Sequence, residues 1–175
     1  DISCFSFYPG KNLGAYGDAG IITTSNKKYY SIMNKIRNLG SNKKFIHDIV
    51  GINSRLDTVQ ASILLRKLKY LNKINSNRRK IAAYYENNID NKKIKKLQYS
   101  KSCVYHQYVI LTKNRKKLIK LLTKNKIPFG FHYPYSIHNI HSMRNYFKKQ
   151  KYPNAEKIAK EGISIPIDPN LTIKN

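Results

Sequence analysis

Cysteine is scarce in this sequence: Cys4 and Cys103 are the only two, they lie far apart, and neither belongs to a C-x-x-C pair. That excludes a disulfide framework and gives no zinc-ligand spacing, and it fits a reducing compartment, so a cytoplasmic location is expected. Long apolar runs are missing too. No stretch approaches the 18 or so residues of a membrane span, and no basic segment leads into an apolar one near residue 1, so neither membrane anchoring nor a signal peptide is expected. Methionine occurs only at 33 and 143, and residue 1 is Asp. The sequence is therefore expected to be part of a longer translation product.

Acidic residues are also few, 9 against 34 Lys and Arg, for a net charge of +25. Such charge can favour nucleic acid through counterion release. Its make-up argues otherwise. There are 27 Lys but only 7 Arg, beside 19 Asn and 23 Ile. Base and phosphate recognition favours the arginine fork, whereas joint excess of Lys, Asn and Ile is what an AT-rich coding sequence yields. The lysines are scattered rather than clustered. Nucleic acid is not expected as the main partner.

With 175 residues, 41% of them hydrophobic, the chain can build a core. Residues 2–7 (ISCFSF) read as a short buried strand and 20–24 (GIITT) as a neighbouring one. Tyr29, Ile32, Met33, Ile36 and Leu39 recur at helical spacing, with Gly40 placed as a left-handed cap. A long helix is predicted from Ser54, with Asp57 in a capping-box-like place and a stripe of Ala61, Leu64, Leu65, Leu68 and Leu71. Helical pattern resumes through Arg78, Ile81, Ala82 and Tyr85. The Asn and Ser of 72–77 suggest a soft domain boundary, dividing 1–75 from 76–175. Beyond it, strands are predicted over 104–111, 127–135 and 163–167, and helices over 114–125 and 154–161, with Pro153 suited to the start of the second. This is a small α/β arrangement.

The chemistry-bearing stretch is "SFYPGKNLG", followed closely by "GDAG". Most lysines here lie in charge-rich segments open to water. Lys11 instead sits in a Gly- and Pro-bracketed turn after Phe5, Phe7 and Tyr8. "GAYGDAG" does not stand between a strand and a helix, so it is not a dinucleotide fingerprint; Gly14, Gly17 and Gly20 read as backbone enablers. Ser6 can donate to a phosphate or pair with its own backbone. Asn53 suits a helix N-cap. Arg55 can hold an anion or a carboxylate of the fold. His132, His138 and His141 lie close in sequence without an H-x-x-x-H or H-E-x-x-H pattern, so no metal site is expected. His106 reads as a core or interface histidine.

The segment "SCFSFYPGKNLGAYGDAGIITT" resembles the cofactor-lysine segment of the DegT/DnrJ/EryC1/StrS family of pyridoxal-phosphate sugar aminotransferases. Stretches 51–85, 104–110 ("VYHQYVI"), 131–138 ("FHYPYSIH") and 155–172 resemble the same family in the same order. The resemblance implies an α/β fold: the C-terminal part of a PLP-dependent transferase of fold type I (aspartate aminotransferase-like). Residues 1–75 would complete a large domain and 76–175 form the small one. It implies pyridoxal 5'-phosphate as cofactor, with Lys11 as the Schiff-base lysine and proton shuttle, Ser6 on the phosphate, and Asn53 reaching the phosphate of a neighbouring subunit in a homodimer. His132 and Tyr133, and more weakly Arg55, fall near the sugar-nucleotide site. A lysine at this position favours transamination over the dehydration of relatives with histidine there. The implied reaction moves an amino group, with glutamate the expected donor, onto a nucleotide-linked keto-sugar.

The family's phosphate loop, its ring-stacking aromatic residue and the aspartate that holds the pyridine nitrogen protonated all precede the lysine and have no counterpart here. The sequence is thus expected to be a fragment, and whether it acts as an enzyme is left open by the residues alone. An inactive remnant or interaction module of the same fold is the alternative, with a basic nucleic-acid binder third.

Overall fold

The computed structural model describes residues 1–147 and 150–172, and the chain divides into two compact units, Asp1–Asn72 and Lys73–Asn175.

In the first unit, β1 (Ile2–Ser6) and β2 (Gly20–Thr24) form an antiparallel ribbon in which Ile2 faces Thr24 and Ser6 faces Gly20. The pairing agrees with the sequence; the burial does not. All five residues of β1 are exposed, because a two-stranded ribbon has no second layer of its own to pack on. Helix α1 (Lys27–Ile36) starts at Asn26, whose side chain accepts from the amides of Lys28 and Tyr29. It stops three residues earlier than the apolar spacing predicts. Leu39 and Gly40 take positive φ, and the Gly40 amide closes the end on the Lys35 carbonyl at 2.8 Å. A Cβ on Gly40 would lie 1.6 Å from the Ile49 oxygen, so only glycine fits this turn.

Helix α2 (Thr58–Leu68) begins four residues later than predicted. Asp57 is its N-cap residue rather than a capping-box partner, and its side chain makes no capping bond. The buried line also differs. Leu64 is buried and Gln60, Ala61 and Lys67 are half-buried, whereas Leu65 and Leu68 are exposed. The inward face is thus set by side chains that hold the loop around Lys11, described below. The helix breaks at Lys69 and Tyr70, where the Tyr70 amide turns back to the Lys67 carbonyl. No glycine or proline marks the break.

Helix α3 (Leu71–Asn88) runs unbroken through the predicted 72–77 boundary, since its buried Arg78, Ile81 and Ala82 outweigh the weak helix propensity of Asn and Ser. It packs on a three-stranded antiparallel sheet of order β3-β4-β5: Lys95–Lys96, Tyr108–Leu111 and Gly162–Ile165. Tyr108 and Ile163 are fully buried at its centre, with Ile81, Ala82, Ile110, Leu122 and Ile167 around them. The Tyr108 hydroxyl donates to Glu86 at 2.5 Å, and burial pushes its ionisation well above the usual tyrosine range.

Of three predicted strands, two are shorter than expected and one does not form, through Arg78 in one case and proline in the others. Residues 104–107 are irregular because Arg78 takes the carbonyls of Tyr105 and His106, at 3.2 and 3.5 Å, and that of Ile167 at 2.8 Å. Residues 127–135 form no strand; Gly130 alone bridges to Ser164, and Pro128 and Pro134 have no amide to give. β5 ends before Pro166. Helix α4 (Arg115–Lys124) falls where the sequence places it, followed by the short α5 (Arg144–Phe147) and by α6 (Pro153–Glu161), with Pro153 in its first turn.

Glu156 anchors the start of α6. Its Oε1 accepts from the Tyr152 amide at 3.1 Å and meets His138 Nε2 at 3.0 Å. The Tyr152 amide, and then His138, hold this carboxyl below its ordinary value. A carboxyl depressed in the folded state adds stability that is present above the unfolded-state value and lost as pH falls through the folded one. Glu156→Gln should therefore flatten the acid limb of a urea-midpoint profile taken between about pH 7 and pH 3. A variant as acid-sensitive as the parent would contradict this.

Candidate active site

Lys11 closes a tight turn. Its amide donates to the Tyr8 carbonyl at 2.8 Å, with Pro9 and Gly10 between. Pro9 presets the first corner of such a turn. The chain then folds back, the Ala15 amide reaching the Phe7 carbonyl at 2.8 Å and the Phe7 amide the Ala19 carbonyl at 2.8 Å. This double closure seats Gly14 so tightly that a Cβ there would lie 2.3 Å from the Pro9 oxygen. The turn is therefore fixed by its own backbone, as the glycines and proline of the sequence foretell.

Two side chains of α2 clasp the loop from outside. Gln60 Oε1 accepts from the Tyr16 amide at 2.8 Å, and Lys67 Nζ donates to the Gly14 carbonyl and lies 5.3 Å over the Tyr16 ring. Sequence reading missed both. Their spacing, seven residues or two helical turns on one face, is the signal that marks them.

Within this frame Lys11 is half-buried, and its ammonium makes no hydrogen bond or ion pair among the described residues. The aromatic shielding expected around it is incomplete within this chain: Phe5 and Tyr8 are 53% and 59% exposed. Ser6, at the end of β1, accepts from the Tyr8 amide at 3.3 Å. That is the local backbone pairing weighed above, and it leaves the hydroxyl proton free to donate elsewhere.

Asn53 and Arg55 form a separate exposed group. Asn53 is not a helix N-cap, since Asp57 holds that place. Its Oδ1 accepts from Arg55 Nε at 3.1 Å, while Arg55 also donates to Asn38 Oδ1 at 3.1 Å. Asn38 and Asn53 are joined by an isolated β-bridge. Arg55 is thus held by two amide oxygens and by no carboxylate, so its charge is not neutralised among the described residues.

In the second unit, His132 is half-buried, with Nδ1 2.7 Å from the Ser164 hydroxyl, and Tyr133 is 70% exposed, its ring edge-on to the imidazole at 5.4 Å. His138 serves the α6 contact already described, and among the described residues no group of three or more His, Cys, Asp or Glu is arranged to hold a metal ion. No helix of the described residues is long and apolar enough to cross a membrane.

A model of the DegT/DnrJ/EryC1/StrS aminotransferase family matches residues 1–175. The chain belongs to that family. DegT/DnrJ/EryC1/StrS proteins are PLP-dependent. Among curated relatives, the dTDP-3-amino-3,6-dideoxy-alpha-D-galactopyranose transaminase of Aneurinibacillus thermoaerophilus is 41% identical over 95% of this chain and 51% of its own length. Among solved structures, S. venezuelae DesV in complex with a ketimine intermediate superposes with a TM-score of 0.90 at 32% identity, covering 98% of this chain and 47% of DesV. NtdA from Bacillus subtilis with bound cofactor PMP superposes with a TM-score of 0.82 at 26% identity, over 99% of this chain and 42% of NtdA. The mixed α/β fold of this chain is therefore that of part of a sugar aminotransferase, and the chain spans about half the length of the curated relatives it matches.

Proposed function

We propose that this chain is the C-terminal part of a homodimeric, PLP-dependent aminotransferase that moves an amino group from an amino acid, glutamate in our reading, onto a nucleotide-linked keto-sugar. In that reading residues 1–75 complete the cofactor-binding domain and 76–175 form the small domain. The observation that carries it is Lys11: a half-buried primary amine, without an ion pair among the described residues, on a turn locked by its own backbone and clasped by Gln60 and Lys67. A donor set of one unpartnered amine and one hydroxyl with a proton to give fits a group bearing an aldehyde and a phosphate.

Lys11 would hold the cofactor covalently and Ser6 would donate to its phosphate, with Asn53 reaching the phosphate bound by the other subunit. When bound, the cofactor supplies an electron sink for the carbon that loses its proton. Lys11 Nζ takes the proton from the donor's α-carbon and gives it back on the far side of the transfer, a general base and then a general acid. His132 and Tyr133 would meet the nucleotide sugar, and Arg55, uncompensated by any carboxylate, would meet an anionic part of a substrate. The net exchange balances: glutamate becomes 2-oxoglutarate, and the sugar's C=O becomes CH–NH2.

The test uses the complete polypeptide, pyridoxal phosphate, glutamate and a panel of dTDP- and UDP-linked keto-hexoses. An amino-sugar nucleotide formed in step with 2-oxoglutarate is expected. Failure to release 2-oxoglutarate with every keto-sugar, while the cofactor stays attached to Lys11, would overturn the reading.

A further inference from the structure

Ser164 has no role in the reading above, yet it makes the only hydrogen bond to the His132 ring among the described residues. It lies on β5, is 4% exposed, and its hydroxyl meets Nδ1 at 2.7 Å. The backbone around this contact is unusually well fixed. The Gly130 amide donates to the Ser164 carbonyl at 3.0 Å, and the Ser164 amide donates back to Gly130 at 2.8 Å. Segment 130–132 is thereby tied to the buried sheet at the residue whose side chain holds the imidazole. Gly130 also makes the room: a Cβ on it would lie 2.9 Å from His132 Cε1, closer than real Cβ contacts come. The ring is thus bounded by the Gly130 gap on one side, bonded through Nδ1 on another, and met edge-on by Tyr133.

We propose that Ser164 is a positioning residue, fixing the orientation and the tautomer of His132 so that Nε2 is the nitrogen presented to a nucleotide-linked sugar. This rests on the aminotransferase reading for the identity of the ligand. The link itself rests on geometry. A neutral imidazole carries one proton on either nitrogen, and a hydrogen bond at one nitrogen decides what the other can offer. If the Ser164 hydroxyl donates, Nε2 carries the proton and donates to a sugar hydroxyl or phosphate oxygen. If it accepts, Nε2 is a bare acceptor for a sugar hydroxyl. Ser164 Oγ has no other partner among the described residues, so accepting would leave its own buried proton without an acceptor; donation, with the ring proton on Nε2, is the arrangement selected. Nε2 has no hydrogen-bond partner among the described residues, which leaves it for the ligand. Burial of Ser164 strengthens the selection, because water does not compete for the same nitrogen.

The experiment combines two readouts on the complete polypeptide. Long-range 15N–1H spectra of histidine-labelled protein report which ring nitrogen of His132 carries the proton, and steady-state kinetics report KM for the nucleotide sugar. The parent should show one tautomer. Ser164→Ala should show an averaged ring and a KM raised about tenfold, roughly one hydrogen bond's worth of binding, with the half-reaction on glutamate unchanged. Ser164→Thr keeps the hydroxyl and should restore the single tautomer. Gly130→Ala attacks the same link from the other side, since its methyl displaces the ring while Ser164 stays in place. It should reproduce the Ser164→Ala spectrum, and it stands in should that variant fold poorly.

An unchanged His132 tautomer in both Ser164→Ala and Gly130→Ala would overturn the proposal, and so would a changed tautomer with unaltered KM. The nitrogen spectrum needs no turnover. A parent with a single tautomer but no transamination would therefore count against the aminotransferase reading and leave the Ser164–His132 link established.

Discussion

Lys11→Ala in the complete polypeptide should lower amino transfer by roughly 10³- to 10⁴-fold, near the upper end of what one positioned proton-transfer group supplies. The loss follows from geometry. Lys11 is the one residue of the Tyr8–Lys11 turn with an ionisable amine, and its ammonium has no structural bond to lose. The variant should accordingly fold as the parent does, with an unchanged urea midpoint, and the loss should be chemical. Borohydride reduction followed by peptide mapping would place the cofactor on Lys11 in the parent and on no residue in the variant. An added primary amine of small size should recover part of the rate, since it can enter the space the side chain leaves. Undiminished transfer, or cofactor mapped to another lysine, would remove Lys11 from the chemistry altogether.

Arg78→Met should destabilise the Lys73–Asn175 unit by about 2–6 kcal/mol, taking about 1–3 kcal/mol for each of the two more closely held carbonyls, of Ile167 and Tyr105, left without its donor. Arg78 is 9% exposed and reaches the Ile167 carbonyl at 2.8 Å and the Tyr105 carbonyl at 3.2 Å, with the His106 carbonyl at the long limit of 3.5 Å. Burial lowers its ionisation from the ordinary arginine value, and nearby Asp168 opposes that shift. Methionine keeps much of the volume, so the change isolates the hydrogen bonds from the packing. Equilibrium urea unfolding reads it as a lower midpoint with an unchanged slope. Arg78→Lys should recover part of the loss, because an ammonium can reach one carbonyl but lacks the fork that spans several. A midpoint within error of the parent would show that the three carbonyls find water or other partners without cost.

What could be read in the chain beforehand depended on whether the deciding interaction was local. The Tyr8–Lys11 turn was legible because Pro9, Gly10 and Gly14 each answer a backbone need within a few residues. Gly40 and Pro153 were legible for the same reason. The failures have distant causes. Residues 104–107 alternate as a strand would, yet Arg78, about 27 residues away, takes their carbonyls. Helix α3 continues through Asn75, Ser76 and Asn77, the last donating to the Pro169 carbonyl, while the division between the two compact units falls at Asn72, within the predicted boundary segment. Within the site, Lys11 and Ser6 came from a motif, whereas Gln60, Lys67 and Ser164 act on residues 32 or more positions away and carry no local mark. The N-cap reading of Asn53 was a fair local inference overturned by Asp57.

The β1–β2 ribbon carries a further implication for the lysine. In this chain taken alone both faces of the ribbon are exposed, so its amides should exchange at the low end of the local stabilities of residues 1–172. The Tyr108–Ile163 sheet, buried at the centre of its unit, should by contrast exchange only when that unit opens. Lys11 hangs from the yielding element. The aim of its amine therefore rests on the backbone of its own turn and on the two long side chains, Gln60 and Lys67, that reach it from α2. Tightening or loosening those two arms is the way a chain of this kind could tune how firmly its reactive nitrogen is held without altering a single atom of the turn itself.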